Sequence, residues 1–241
     1  SRSRHRWKRN AFSQREVSTC GCERCSWARQ GDRKVPEQQS EAERLEELWG
    51  GEFGDAYSTR NREAGEGRGE FWGAILTKFR VGSVLEVGCN IGGNLRWIRE
   101  RVPANHIFGV DINDRVLEEL CRALPGVNAV CTPARELPFR DCWFDLVFTA
   151  GVLIHQPPEI LPAVMAEIVR CSRRYVVCGE YFAEVPTHVP YRGQTRALWK
   201  RDFGGLYQTL FPGLELLETG FLPRDRGGWD DVTYWVFEKP T

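Results

Sequence analysis

No stretch of the 241 residues approaches the roughly 18 consecutive apolar residues needed to cross a bilayer, so no membrane span is expected. The first residues also lack the apolar core of a secretory signal, and export is not expected. Net charge is missing too, since 33 Lys and Arg balance 33 Asp and Glu. That balance is uneven: residues 1–35 hold ten basic and three acidic side chains, so the remainder is acidic by seven. An acidic body argues against nucleic acid as the main partner, because phosphate binding needs a basic surface. A paired disulfide framework is lacking as well. The nine cysteines are odd in number, and Cys131, Cys142 and Cys178 sit in apolar runs, where a free thiol packs as a small hydrophobe. The expectation is a reducing, cytoplasmic protein.

Two motifs are incomplete. Cys20-Gly21-Cys22-Glu23-Arg24-Cys25 has the look of a metal knuckle, but a closed zinc site wants four ligands and no second pair follows. No metal is expected. The dinucleotide pattern G-x-G-x-x-G is absent as well. The nearest match is Gly88-x-x-x-Gly92, with Asn90 where the middle glycine would fall.

What is present divides into a basic, polar tail over residues 1–39, expected to be disordered, and a single domain over 40–241. Ser40 and Glu43 form a capping-box pattern that opens a helix through Leu45 and Leu48, ended by Gly50-Gly51. Phe53, Tyr57 and Arg60 recur at helical spacing, and a glycine-rich link then leads to a helix around 71–79. From Ser83 strands and helices alternate. Val84–Val87, Ile107–Asp111, Val127–Cys131, Phe144–Thr149 and Tyr175–Cys178 read as strands, with helices between them. That alternation means a parallel sheet covered on both faces. Leu214–Phe221 and Val232–Glu238 have no crossover helix between them, so they read as an antiparallel hairpin at the sheet edge.

The loop Glu86-Val87-Gly88-Cys89-Asn90-Ile91-Gly92-Gly93 follows the first strand. Its small residues let a ligand approach the backbone at a helix start. Glu86 has the wrong charge for a phosphate and suits a cationic ligand. Asp111 ends the second strand about 20 residues on, where a carboxylate can accept both hydroxyls of a ribose.

The run 84–94, Gly109-Val110-Asp111-Ile112-Asn113 and Phe144-Asp145-Leu146-Val147-Phe148 together resemble the core of Rossmann-like methyltransferases. The resemblance implies an α/β fold, a three-layer α/β/α sandwich on a seven-stranded, mostly parallel sheet with a C-terminal antiparallel hairpin. It implies S-adenosyl-L-methionine lying over the glycine loop. Glu86 would serve the methionine end indirectly, through the amino group or a water, Gly88 and Asn90 would line the amino-acid part, and Asp111 would hold the ribose. Further pieces are similar to methylases associated with pseudaminic acid biosynthesis. These are Gly51–Tyr57 with Arg60-Asn61, Gly151–His155, Glu180-Tyr181, Tyr191-Arg192-Gly193 and Lys200–Gly204. They imply a sugar or sugar-nucleotide acceptor. One departure stands out: Pro133 falls where many superfamily members carry the acid that accepts from the adenine amine, which leaves adenine to backbone groups near Ala134 and Arg135.

Acceptor chemistry points to loops beyond the strand ends. His155 is a candidate base or substrate contact, or else packs the start of the following helix. Glu180 and Tyr181 follow the fifth strand and are expected to face the cleft. Tyr57 and Arg60 precede the core as a lid, with Arg60 either pairing with the methionine carboxylate or simply solvated. Tyr191 and Arg192, with Lys200 and Arg201, either hold an anionic small-molecule acceptor or form a solvated face. A nicotinamide-dependent oxidoreductase and a non-catalytic S-adenosylmethionine-binding regulatory module remain as alternatives. Composition and pattern carry no signal for oligomeric state.

Overall fold

The computed structural model describes residues 39–63 and 66–240. The basic tail and its cysteine triplet lie outside the described residues. Among the described residues no helix is long and apolar enough to cross a membrane, and no cluster of side chains is arranged to hold a metal.

Three helices precede the sheet: α1 (Glu41–Gly50), α2 (Glu52–Arg60) and α3 (Gly69–Lys78). The capping box forms as expected, with the Ser40 hydroxyl accepting from the Glu43 N–H and the Glu43 carboxylate accepting from the Ser40 N–H. The core then alternates β1 (Val84–Val87), α4 (Leu95–Ile98), β2 (Ile107–Asp111), α5 (Asp114–Ala123), β3 (Asn128–Cys131), β4 (Phe144–Ala150), α6 (Leu161–Cys171) and β5 (Ser172–Glu180). Asn113 caps α5 by accepting from the Arg115 and Val116 N–H groups, and the stripe Val116, Leu117, Leu120 turns that helix onto the sheet. A short pair, β6 (Thr187–His188) and β7 (Trp199–Lys200), forms a second small sheet that alternation did not reveal. Then follow α7 (Phe203–Leu210), β8 (Glu215–Leu222) and β9 (Val232–Glu238).

The large sheet runs β3-β2-β1-β4-β5-β9-β8. The first five strands are parallel, while β9 pairs antiparallel with β5 and β8 with β9. The expected fold class is therefore the observed one. One apolar layer packs α6 and α7 against Leu85, Val87, Val147 and Val176; the other packs α3, α4 and α5 against Val84, Ile107, Leu146 and Phe148. Both faces are covered, which is why β1 and most of β4 are buried along their length. The six cysteines of the described residues are free thiols. Cys178 is buried as expected, whereas Cys131 and Cys142 are exposed, because they sit where β3 ends and just before β4 begins.

The chain leaves β1 toward β2 on one side and meets β4 on the other, so the carboxyl end of β1 is the switch point where open α/β sheets bind ligands. A cavity lies there, roofed by α1 and α2.

Candidate active site

The loop after β1 is held by its neighbours. The N–H groups of Gly88 and Cys89 both donate to the Val110 carbonyl, at 2.8 and 2.9 Å. Gly88 has φ +74°, and a Cβ there would stand 2.4 Å from Val152. Only glycine meets both demands. Asn90 also adopts positive φ, at 47°. Its backbone N–H donates to Asp111 at 2.8 Å, and its side-chain oxygen accepts from the Ile91 N–H and from the Ser58 hydroxyl of α2. A short polar side chain that bonds locally tolerates this conformation. Asp111 thus holds the loop with one oxygen and the Asn113 N–H with the other, at 3.0 Å. Burial raises its carboxyl above the usual range, and the backbone N–H bonds work against that rise.

Glu86 is buried, with 2% of its surface exposed. One carboxylate oxygen accepts from the Asn94 amide at 2.6 Å, and Asn94 in turn accepts from Arg68 at 3.0 Å and from the Trp72 indole at 3.1 Å. The other oxygen, Oε2, is buried without a hydrogen-bond partner. Burial pushes this carboxyl up to about 8, although the Asn94 bond and the nearby Arg68 charge both lower it. An acceptor left unpaired inside a cavity wall is costly unless a ligand supplies a donor. Arg68 donates from Nε to the Gly228 carbonyl at 2.9 Å and stacks over Trp229 at 4.4 Å. Its second terminal nitrogen, Nη2, has no hydrogen-bond partner among the described residues.

Beyond β4 the chain turns through Leu153–His155. His155 is 8% exposed and lines the cavity. Its Nδ1 lies 2.6 Å from the Ala197 carbonyl. A carbonyl oxygen can only accept, so Nδ1 carries the proton and Nε2 keeps a bare lone pair. Burial lowers the imidazole to about 4, against the pull of that hydrogen bond, so the ring is neutral near pH 7. Trp49 packs on it at 4.4 Å, and Phe53, Tyr57 and Tyr191 close around the indole at 5.2, 5.3 and 6.3 Å. Burial raises the Tyr57 phenol to about 12, so it stays a neutral hydroxyl.

The structure therefore brings Tyr57, Glu86, Gly88, Asn90, Asp111, Ala134 and His155 to one cavity. It does not bring the rest. The Glu180 carboxylate is fully buried and accepts from the N–H groups of Val152, Leu153 and Ile154 at 3.0–3.2 Å, so it braces the turn below His155 instead of facing the cleft. Its carboxyl is raised to about 7 by burial, against those three bonds. The Tyr181 hydroxyl donates to Asp230, tying the end of β5 to the β8–β9 loop. Arg60 is exposed at the end of α2 and stays outside. Arg135 is occupied by Glu46, at 2.7 and 3.2 Å. Tyr191 lies behind Trp49, packed on Phe53 and His155, and Arg192 is exposed beside it. Arg201 is buried and donates to the Gln156 carbonyl rather than lining the cavity. Sequence reasoning missed Glu46, Trp49, Ser58, Arg68 and Asn94. Of these only Arg68 left a trace, as a cation between Gly67 and Gly69 just before the core.

Residues 84–174 match the family model described as "Methyltransferase domain". That stretch runs from the start of β1 into β5, the alternating part of the sheet. A curated relative, 24-methylenesterol C-methyltransferase 2 of Arabidopsis thaliana, is 30% identical over 120 residues, 44% of this chain. The aligned part spans 32% of that relative's length. Among solved structures, the 1,6-didemethyltoxoflavin-N1-methyltransferase of Burkholderia thailandensis, solved with S-adenosylhomocysteine, superposes with TM-score 0.66 at 17% identity. The match covers 86% of this chain and 94% of that one. The cyclase SpnF shares the fold at TM-score 0.53 and 18% identity, over 72% and 82% of the two chains. The methyltransferase fold is thus shared by a protein named for a different reaction, and chemistry has to be argued from the site.

Proposed function

We propose that the chain transfers a methyl group from S-adenosyl-L-methionine to a small-molecule acceptor. The observation that carries this reading is the unpartnered Glu86 Oε2, buried beside Arg68 at the carboxyl end of β1. An acceptor and a cation side by side match the ammonium and carboxylate of an amino acid. In this reading Oε2 accepts from the ammonium, Arg68 Nη2 takes the carboxylate, and Asp111 accepts from the ribose hydroxyls. The Gly88 backbone permits close approach, and Ala134 lines the far end. Bound there, the sulfonium supplies an already activated methyl group.

The residues then have two tasks. Holding the acceptor in line with the methyl is the larger one. The aromatic wall of Trp49, Tyr57 and His155 excludes water from that line. The second task is to remove a proton where the nucleophile is a hydroxyl or protonated amine, and His155 Nε2 is the base in place for it. Glu180 acts as a positioning residue, fixing the turn that carries His155. The finer reading of a sugar or sugar-nucleotide acceptor in a pseudaminic-acid-type pathway rests on the sequence pieces alone.

Calorimetric titration with S-adenosylhomocysteine tests the donor, and mass gain on candidate acceptors with isotope-labelled cofactor tests the transfer. Saturable binding at one site per chain is the expected result. Absence of binding, or tighter binding of NAD, overturns the proposal. Binding with no transfer to any acceptor favours the regulatory module.

A further inference from the structure

The order of strands fixes how a nucleoside would lie across this edge. Neighbouring strands are about 4.8 Å apart, so β4, β1, β2 and β3 present His155, Glu86, Asp111 and Ala134 in sequence along one line. With the amino acid at β1 and the ribose at β2, the base falls beyond β3. That end is walled by Leu45, Ile112, Val116 and Ala134, a suitable apolar slot for a planar ring.

A ring in that slot needs a partner for its exocyclic amine, and the chain after β3 brings no acid to the cavity: Thr132 and Ala134 line it, Pro133 stands between them, and Glu136 stays outside it on Arg135. The carboxylate lining this end comes from elsewhere. Glu46 of α1 lines the cavity, and the Arg135 guanidinium grips it with Nε on Oε1 at 2.7 Å and Nη2 on Oε2 at 3.2 Å. Such a two-point grip fixes the carboxylate plane and leaves each oxygen a further lone pair. The helix beneath is fixed too, by the Ser40–Glu43 box and by Arg44, which donates to the Thr195 and Arg196 carbonyls.

We propose that Glu46 accepts the hydrogen bond from the 6-amino group of adenine, so that α1 supplies the base-specific contact in place of the strand-end loop. Arg135 acts as the positioning residue that aims it. The proposal rests on the methyl-donor reading above. A carboxylate there selects against a 6-oxo purine, which presents an acceptor oxygen where the amine would donate.

The test compares S-adenosylhomocysteine with its inosine analogue by calorimetry on the full chain. Wild type is expected to favour the adenine form by tenfold to a hundredfold, on the order of one charge-assisted hydrogen bond. Glu46→Ala should bring the ratio toward one by weakening only the adenine form. Glu46→Gln should narrow the ratio while keeping part of the affinity, because a carboxamide both donates and accepts. Arg135→Met should lower the ratio with Glu46 intact, a change that loss of a surface ion pair alone would not produce. The Glu46 and Arg135 side chains are 26% and 30% exposed, so the variants are expected to fold, which a thermal melt checks. A wild-type ratio retained in Glu46→Ala overturns this proposal alone. No binding of S-adenosylhomocysteine by wild type overturns the donor reading as well.

Discussion

The floor and the roof of the cavity are built on different terms. The floor is the carboxyl edge of β1, β2 and β4, where Gly88, Asn90 and Asp111 are locked by backbone hydrogen bonds of 2.8–3.0 Å. The roof is α1, α2 and the segment around Tyr191, held by ring contacts among Trp49, Phe53, Tyr57, His155 and Tyr191. Backbone bonds at strand ends fix atoms, as a common donor requires. Ring packing fixes a shape, and shape can be retuned for a new acceptor without disturbing the sheet. A floor mutation should therefore cost folding or cofactor binding, and a mutation in the aromatic part of the roof should cost turnover.

The largest expected effect is on the floor. Gly88→Val places a branched side chain at φ +74° against Val152, and strain plus overpacking should destabilise the chain by about 2–6 kcal/mol, read by denaturant unfolding. A variant as stable as wild type breaks the idea that the floor is rigid. His155→Gln should lower kcat by about 10²–10⁴-fold with S-adenosylhomocysteine affinity unchanged, provided the acceptor loses a proton. With the imidazole lowered to about 4, the wild-type pH–rate profile should show no inflection near 6.5.

A smaller effect concerns protons. The Glu86 carboxyl is raised to about 8 in the free chain, so it is neutral at pH 7 and must ionise to meet a cationic ammonium. The sign follows: its contribution to stability is full below about 4.5 and is lost as pH rises through about 8. Affinity for S-adenosylhomocysteine should accordingly rise from pH 6 toward pH 8, with proton release seen in buffers of different ionisation enthalpy. Glu86→Gln should flatten that rise. The smallest effects belong to exposed residues of the roof that do not line the cavity. Arg60→Ala and Arg192→Ala open no cavity and break no ion pair among the described residues, so melting should stay within about 0.5 kcal/mol and activity near wild type. A tenfold loss in either would return those arginines to the site.

The alternating strands and closing hairpin were legible because both depend on hydrophobic spacing, which is local. Gly88 and Asp111 were legible for a related reason: each sits at a strand end whose position the alternation dictates. Of the two readings of Arg60, the solvated one matches its exposed place at the end of α2. Arg60 and Arg68 both precede the core, and helical spacing cannot tell which turns inward. Asn94 and the Gly228 carbonyl decide it, 26 and 160 residues away. Glu180 failed differently. The strand-end rule located its Cα correctly, but the turn at 152–154 folds over its side chain and claims the carboxylate. Glu46 was invisible, because nothing in α1 announces that its side chain will meet Arg135 across 89 residues.

The stacking of Arg68 on Trp229 at 4.4 Å has one further consequence. A cation over an indole shifts its emission, and in the proposed reading this cation is the one that takes the ligand's carboxylate. Occupancy should therefore be readable in tryptophan emission, with Trp229→Phe removing the Arg68-dependent part and leaving the part from Trp49 in the cavity wall.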